Sequence, residues 1–117
     1  MSEIKRINAG RRMSDTTIFN GVAYLAGKTP SDTGLDIEGQ TAQVLATIDR
    51  ILAEAGTDKS RLLSAQIFLT NMSEFAGMNK VWDAWVAPGH TPARATIEAR
   101  LANPGYKVEI MVTAALP

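Results

Sequence analysis

Two β-rich runs, Thr16-Thr17-Ile18-Phe19 and Val22-Ala23-Tyr24-Leu25, flank the dipeptide Asn20-Gly21. Asn and Gly best tolerate the positive φ that a type I′ turn needs at both central positions, and that turn matches the twist of paired strands. A tight hairpin over 16–25 is therefore expected, and any fold for this chain must contain it.

The rest of the chain is read outward from that hairpin. Residues 28–36 hold Pro30, Gly34 and several Ser, Asp and Thr, and read as a loop. Asp36 can cap a helix, with Glu38 in its first turn. Ile37, Val44, Leu45, Ile48, Ile51, Leu52 and Ala55 then recur at helical spacing, and Gly56 is a natural stop. Alternation over 63–70 predicts a strand, with Leu63, Ala65, Ile67 and Leu69 on its apolar face. Ser73 can cap a second helix carrying Phe75, Met78, Trp82 and Trp85 on one face, ended by Pro88-Gly89.

Two further alternating runs close the chain. Ala93, Ala95, Ile97, Ala99 and Leu101 oppose Arg94, Thr96, Glu98 and Arg100, and Val108, Ile110, Val112 and Ala114 oppose Lys107, Glu109, Met111 and Thr113. Asn103-Pro104-Gly105 lies between them as a turn. The order ββ(β)αβαββ predicts an α+β fold: a mostly antiparallel sheet with two helices on one face. Its other face would be free for a partner or a site. The 117 residues form one expected domain, 1–117.

Composition removes several classes of function. There is no Cys, which excludes disulfides and thiolate chemistry, and the single His, His90, falls in an expected loop. No metal set and no phosphate-binding glycine loop is visible. Twelve basic residues balance twelve acidic ones, which argues against nucleic acid as a partner. The start, Met1 to Arg6, has no apolar run, so no secretory signal is visible. No stretch approaches the roughly 20 apolar residues of a membrane span. The expected location is the cytoplasm.

The candidates for chemistry are polar residues on strands. Arg94, after Thr91-Pro92-Ala93, offers a planar guanidinium for a small carboxylate, and Thr96 shares its face. Both are read on the polar, wet face of the penultimate strand. Glu109, on the polar face of the last strand, can hold or activate a water. The plainer reading is that charges on a wet face are solvated. If the last two strands form a hairpin pairing Leu101 with Val108, Arg100 faces Glu109 as a cross-strand ion pair. Arg94 would then lie roughly 20 Å from Glu109, so the two could share a site only across a subunit interface.

The segment Thr91-Pro92-Ala93-Arg94-Ala95-Thr96-Ile97-Glu98-Ala99-Arg100-Leu101 resembles the Pro-Ala-Arg-Ser region of the reactive-intermediate deaminase (Rid, or YjgF) family. Lys107-Val108-Glu109-Ile110 resembles the closing strand of that family, and Asn20 to Gly27, Gln40-Thr41, Ala55-Gly56, Ile67 to Leu69 and Phe75 to Asn79 follow in family order. Arg12-Met13-Ser14-Asp15 and Met78 to Trp85 are most similar to the YoaB-like branch.

The resemblance implies a chorismate-mutase-like fold, a homotrimer with clefts between subunits, and no cofactor or metal. It also implies hydrolysis of 2-aminoacrylate or 2-iminobutanoate to a 2-keto acid and ammonia. Carried over residue by residue, Arg94 binds the substrate carboxylate and Gly27 and Thr96 give main-chain contacts. Glu109 of a neighbouring subunit handles the water, and Ala26 and Ser14 line the pocket. The family pattern has a Ser or Thr where this chain has Ala26, often a Cys at Thr96, and a Tyr in the region of Met13 and Ser14. Binding of a keto acid or amino acid without turnover is the alternative, and ribonuclease activity the weakest reading.

Overall fold

The computed structural model describes residues 3–117. Met1 and Ser2, part of the stretch read for a signal, lie outside it. Among the described residues six strands and two α-helices are formed: β1 (Lys5–Ile7), β2 (Thr16–Phe19), β3 (Val22–Leu25), α1 (Ile37–Glu54), β4 (Leu62–Leu69), α2 (Phe75–Trp85), β5 (Ala93–Glu98) and β6 (Val108–Ala115). They make one mixed sheet in the order β1-β2-β3-β6-β4-β5, with both helices on one face. The α+β class is as expected.

The expected hairpin is present. Asn20 and Gly21 have φ of 51° and 79°, the pair of positive values the turn requires. Helix α1 begins where Asp36 accepts a hydrogen bond from the Gly39 amide at 2.8 Å. It ends at Gly56, whose φ of 88° lets the Thr57 amide reach back to the Leu52 carbonyl. Its stripe, from Ile37 through Val44, Leu45 and Ile48 to Leu52, packs on the sheet with Ala65, Ile67 and Leu69 of β4 and Val108, Ile110 and Val112 of β6.

Three expectations are corrected. Ser73 does not cap a helix: Asn71 caps a 3-10 turn (Met72–Glu74) that leads into α2. The last two strands are not a hairpin, because β4 lies between them, antiparallel to β6 and parallel to β5. The physical cause is the pair of helical crossovers. β4–α2–β5 is a parallel unit, β3–α1–β4 is another with β6 inserted in its middle, and parallel neighbours need such a crossover. Glu109 therefore faces Phe68 and not Arg100, and Arg100 lies beyond the end of β5.

The third correction is the facing of β5. Its register pairs Arg94 with Ala65 and Thr96 with Ile67, both core residues, so Arg94 and Thr96 lie on the helix side. Ala93, Ala95 and Ile97 face the open side and are exposed. β5 is an edge strand flanked by a single neighbour, so its alternation is set by β4 and α2 rather than by a two-sided core.

The connection from β5 to β6 is anchored by Gln40, which is fully buried in α1. Its Nε2 donates to the carbonyls of Gly105 at 3.0 Å, Leu35 at 3.2 Å and Thr33 at 3.4 Å, and its Oε1 accepts from the Lys107 amide at 2.8 Å. One amide thus joins two loops to the helix. Among the described residues, no helix is long and apolar enough to cross a membrane.

Candidate functional site

Arg94 is held by α2. Its Nη1 donates to Asn79 Oδ1 at 2.7 Å, and its guanidinium carbon lies 5.3 Å from the centre of the Trp82 ring and 5.9 Å from that of Phe75. Two aromatic faces and one amide orient the fork while neutralising nothing. Among the described residues Arg94 makes no ion pair, so its remaining donors are available to an anion. Thr96, two residues along on the same face, has a buried hydroxyl without a hydrogen-bond partner. In the sequence Phe75 and Trp82 mark an apolar helix face, and nothing local marks Asn79 as a partner of Arg94. The signal for the slot was their spacing of three and four residues on one helix.

Glu109 lies on the other face of the sheet. It is half-buried and has no ion pair or side-chain hydrogen bond among the described residues. Its carboxylate fills the place where Gly27 lacks a side chain: a Cβ there would overlap Oε2 and stand 3.1 Å from Cδ and 3.3 Å from Cγ. Ala26 is bound to the same corner by its amide, which donates to the Asp15 carbonyl at 2.9 Å. Ser14, half-buried, comes one residue before Asp15, at the end of a loop whose Gly10, Arg11, Arg12 and Met13 border a cleft of about 700 Å³. Gly27 and Glu109 thus meet where β3 runs on beside β6, with Ala26 next to Gly27 in the chain and Ser14 next to Asp15.

Arg94 is not in that corner. Glu109 is level with Phe68 and Ile97, two strands across, and Arg94 is three residues further along on the opposite face. That is roughly 10 Å across and 10 Å along the sheet, with the sheet itself between them. A single small acid cannot touch both groups of one chain.

Gly27 offers a test that separates site from fold. In Gly27→Ala the new methyl meets the far end of a flexible side chain, so Glu109 swings aside and the strands remain paired. Circular dichroism should show a melting shift of a few degrees, on the order of 1 kcal/mol. Any activity that depends on the Glu109 carboxylate should drop about tenfold or more.

The family profile described as endoribonuclease L-PSP matches residues 3–116. A RutC family protein of Haemophilus ducreyi is 53% identical over 97% of each chain. The RutC family protein YoaB of Escherichia coli is 49% identical over 97% of this chain and 98% of its own. Among solved structures, a member of the YjgF protein family from Neisseria meningitidis superposes with a TM-score of 0.95 at 49% identity, covering 98% of this chain and 96% of that one. A Rid family protein of unknown function from Yersinia pestis superposes at 0.86 and 32% identity, covering 99% and 100%. On this likeness along almost its whole length, the chain belongs to the endoribonuclease L-PSP family, the group also called YjgF, RutC or Rid.

Proposed function

We propose that the protein is an enamine/imine deaminase acting on small 2-imino acids, such as 2-iminobutanoate and the imine tautomer of 2-aminoacrylate, in clefts between the subunits of a homotrimer. The observation that carries the reading is Arg94: a guanidinium oriented by Asn79, Trp82 and Phe75, with no acidic partner among the described residues. Such a fork suits a planar carboxylate.

In this reading Arg94 of one chain holds the substrate acid and Thr96 stands beside it. Glu109 of a neighbouring chain, against Gly27, accepts a proton as a water oxygen adds to the imine carbon. That proton then passes to the nitrogen, giving a carbinolamine; Glu109 next takes the hydroxyl proton and returns it to the amine as the carbonyl forms and the C–N bond breaks, so ammonia and the 2-keto acid are released. Imines hydrolyse unaided in water, so orientation and one placed water are enough, and no metal or cofactor enters. The location is proposed to be the cytoplasm.

The open face of the sheet supports association. Tyr24, Ile97 and Met111 are exposed there beside half-buried Phe68. A depression of about 250 Å³ on that face is lined by Tyr24, Ser64, Gln66, Met111 and Thr113 and has no charged group to hold an acid. It suits a neighbouring chain better than a substrate. Light scattering is expected to give three times the chain mass; a monomer would sink the shared site.

Ala26 favours a second reading, since it brings no hydroxyl to the corner: the cleft binds a keto acid or amino acid without turning it over. Freshly generated 2-iminobutanoate and 2-aminoacrylate decide between the two. Accelerated ammonia release is expected. A folded trimer that binds 2-oxobutanoate yet leaves both imines to decay at the solvent rate would establish the second reading instead.

A further inference from the structure

The segment that carries Gly27 is irregular. Regular pairing of β3 with β6 reaches Tyr24 opposite Thr113, and the next rung is Lys28 opposite Ile110. Four steps on one strand therefore answer three on the other, and β3 continues through a bulge with one extra residue. Bulges re-aim side chains, and they need support because the ladder is broken around them. Here the extra residue leaves Gly27 on the side of Glu109 and returns Lys28 to the helix side, opposite core residue Ile110.

The support comes from one ion pair. Lys28 Nζ lies 2.8 Å from Asp15 Oδ1, with the lysine side chain only 15% exposed and that of Asp15 31%. Asp15 also accepts from Ala26 through its carbonyl at 2.9 Å, so it grips the chain on both sides of Gly27. The Lys28 amide and carbonyl exchange hydrogen bonds with Ile110 at 2.9 and 3.0 Å, next to Glu109.

We propose that the Asp15–Lys28 pair is the positioning device of this site, holding the bulge so that Gly27 confines the Glu109 carboxylate to one place. The proposal deepens the deaminase reading and rests on it for the chemistry. Neither residue touches substrate; both act through Gly27 and Glu109.

The charged and polar groups around Asp15 are Lys28, Asn8, whose Nδ2 donates to Oδ2 at 3.1 Å, and Arg50 of α1, with Glu54 reached through Asn8. The hydrogen bond from Lys28, then that from Asn8, holds the Asp15 carboxyl below its ordinary value of 3.8. A depressed carboxyl stabilises the fold above the unfolded value and ceases to do so as pH falls through the folded one. The anchor is therefore intact at neutral pH and is released only in acid, below that ordinary carboxylate value.

The test uses Asp15→Asn, Lys28→Met and their combination, with Lys28→Arg as the conservative variant. Lys80→Met is the control; it removes an exposed pair, Lys80 with Glu38 at 3.3 Å. On 2-iminobutanoate each of the first two should lower kcat about tenfold with KM unchanged, since Arg94 is untouched. The combination should be no worse than either alone. Lys28→Arg should recover most of the rate, and Lys80→Met should match the native protein. Hydrogen exchange at the Lys28 and Ile110 amides reads the anchor without turnover and should quicken about tenfold in both single variants. Faster exchange in a protein inactive on both imines would uphold the anchor and overturn the deaminase reading. Unchanged exchange, or kcat and KM that move together with the melting temperature, would overturn the anchor.

Discussion

Arg94→Ala is expected to reduce kcat/KM on 2-iminobutanoate by about 100-fold while leaving a folded oligomer. A charge-assisted, bidentate hydrogen bond to a carboxylate is worth about 1.5–3 kcal/mol, and each 1.4 kcal/mol is a factor of ten. The loss should lie mainly in KM if the acid is held equally in ground and transition states. Stability should change little, because Arg94 sits at an edge strand and its partner Asn79 Oδ1 becomes open to water once the guanidinium is gone. Arg94→Lys keeps the charge but not the fork, and an intermediate rate is expected. Steady-state kinetics of ammonia release, with melting curves beside them, check both. Full activity in Arg94→Ala would overturn the assignment of the carboxylate site.

The second large effect concerns the fold. Gln40→Leu should destabilise the protein by about 3 kcal/mol. The leucine fits an apolar stripe, yet it leaves the half-buried Lys107 amide and Gly105 and Leu35 carbonyls without their partner. Gln40→Glu keeps the acceptor for Lys107 but loses the donor and brings a charge into a fully buried place, so it should be no better. Urea unfolding at matched protein concentration measures both, since association would otherwise shift the midpoint. A Gln40→Leu variant as stable as the native chain would show that water or loop movement satisfies those groups.

How much of this was legible in the sequence depended on whether the cause was local. Asn20-Gly21, and Asp36 and Gly56 at the ends of α1, act within a few residues of themselves, and each element formed where it was read. Sheet order is a non-local property. Two alternating runs joined by Asn103-Pro104-Gly105 look like a hairpin from within, and only the crossover of α2 and the insertion of β6 beside β4 make them otherwise. A separate cause reversed the facing of Arg94: Ala93, Ala95 and Ile97 are apolar without being core.

Within the site, Arg94 and Glu109 stood out as charges on strands, and Gly27 only through likeness. Asn79 and the Asp15–Lys28 pair did not stand out, since nothing in an isolated Asn, Asp or Lys tells where its partner will be. Gln40 left a trace, being polar, with Thr41, on the buried stripe between Ile37 and Val44.

The place of β6 has a consequence for how the protein is made. Of the six described strands it is synthesised last, yet it lies in the interior of the sheet, between β3 and β4. Until it arrives, those strands have no bridge, and α1 and α2 have only an incomplete surface to cover. The nascent chain therefore cannot close its sheet in order of synthesis; it must wait with apolar strands open, and such species are prone to aggregate. Loss of a few residues of β6 would be felt at the centre of the sheet rather than at its margin.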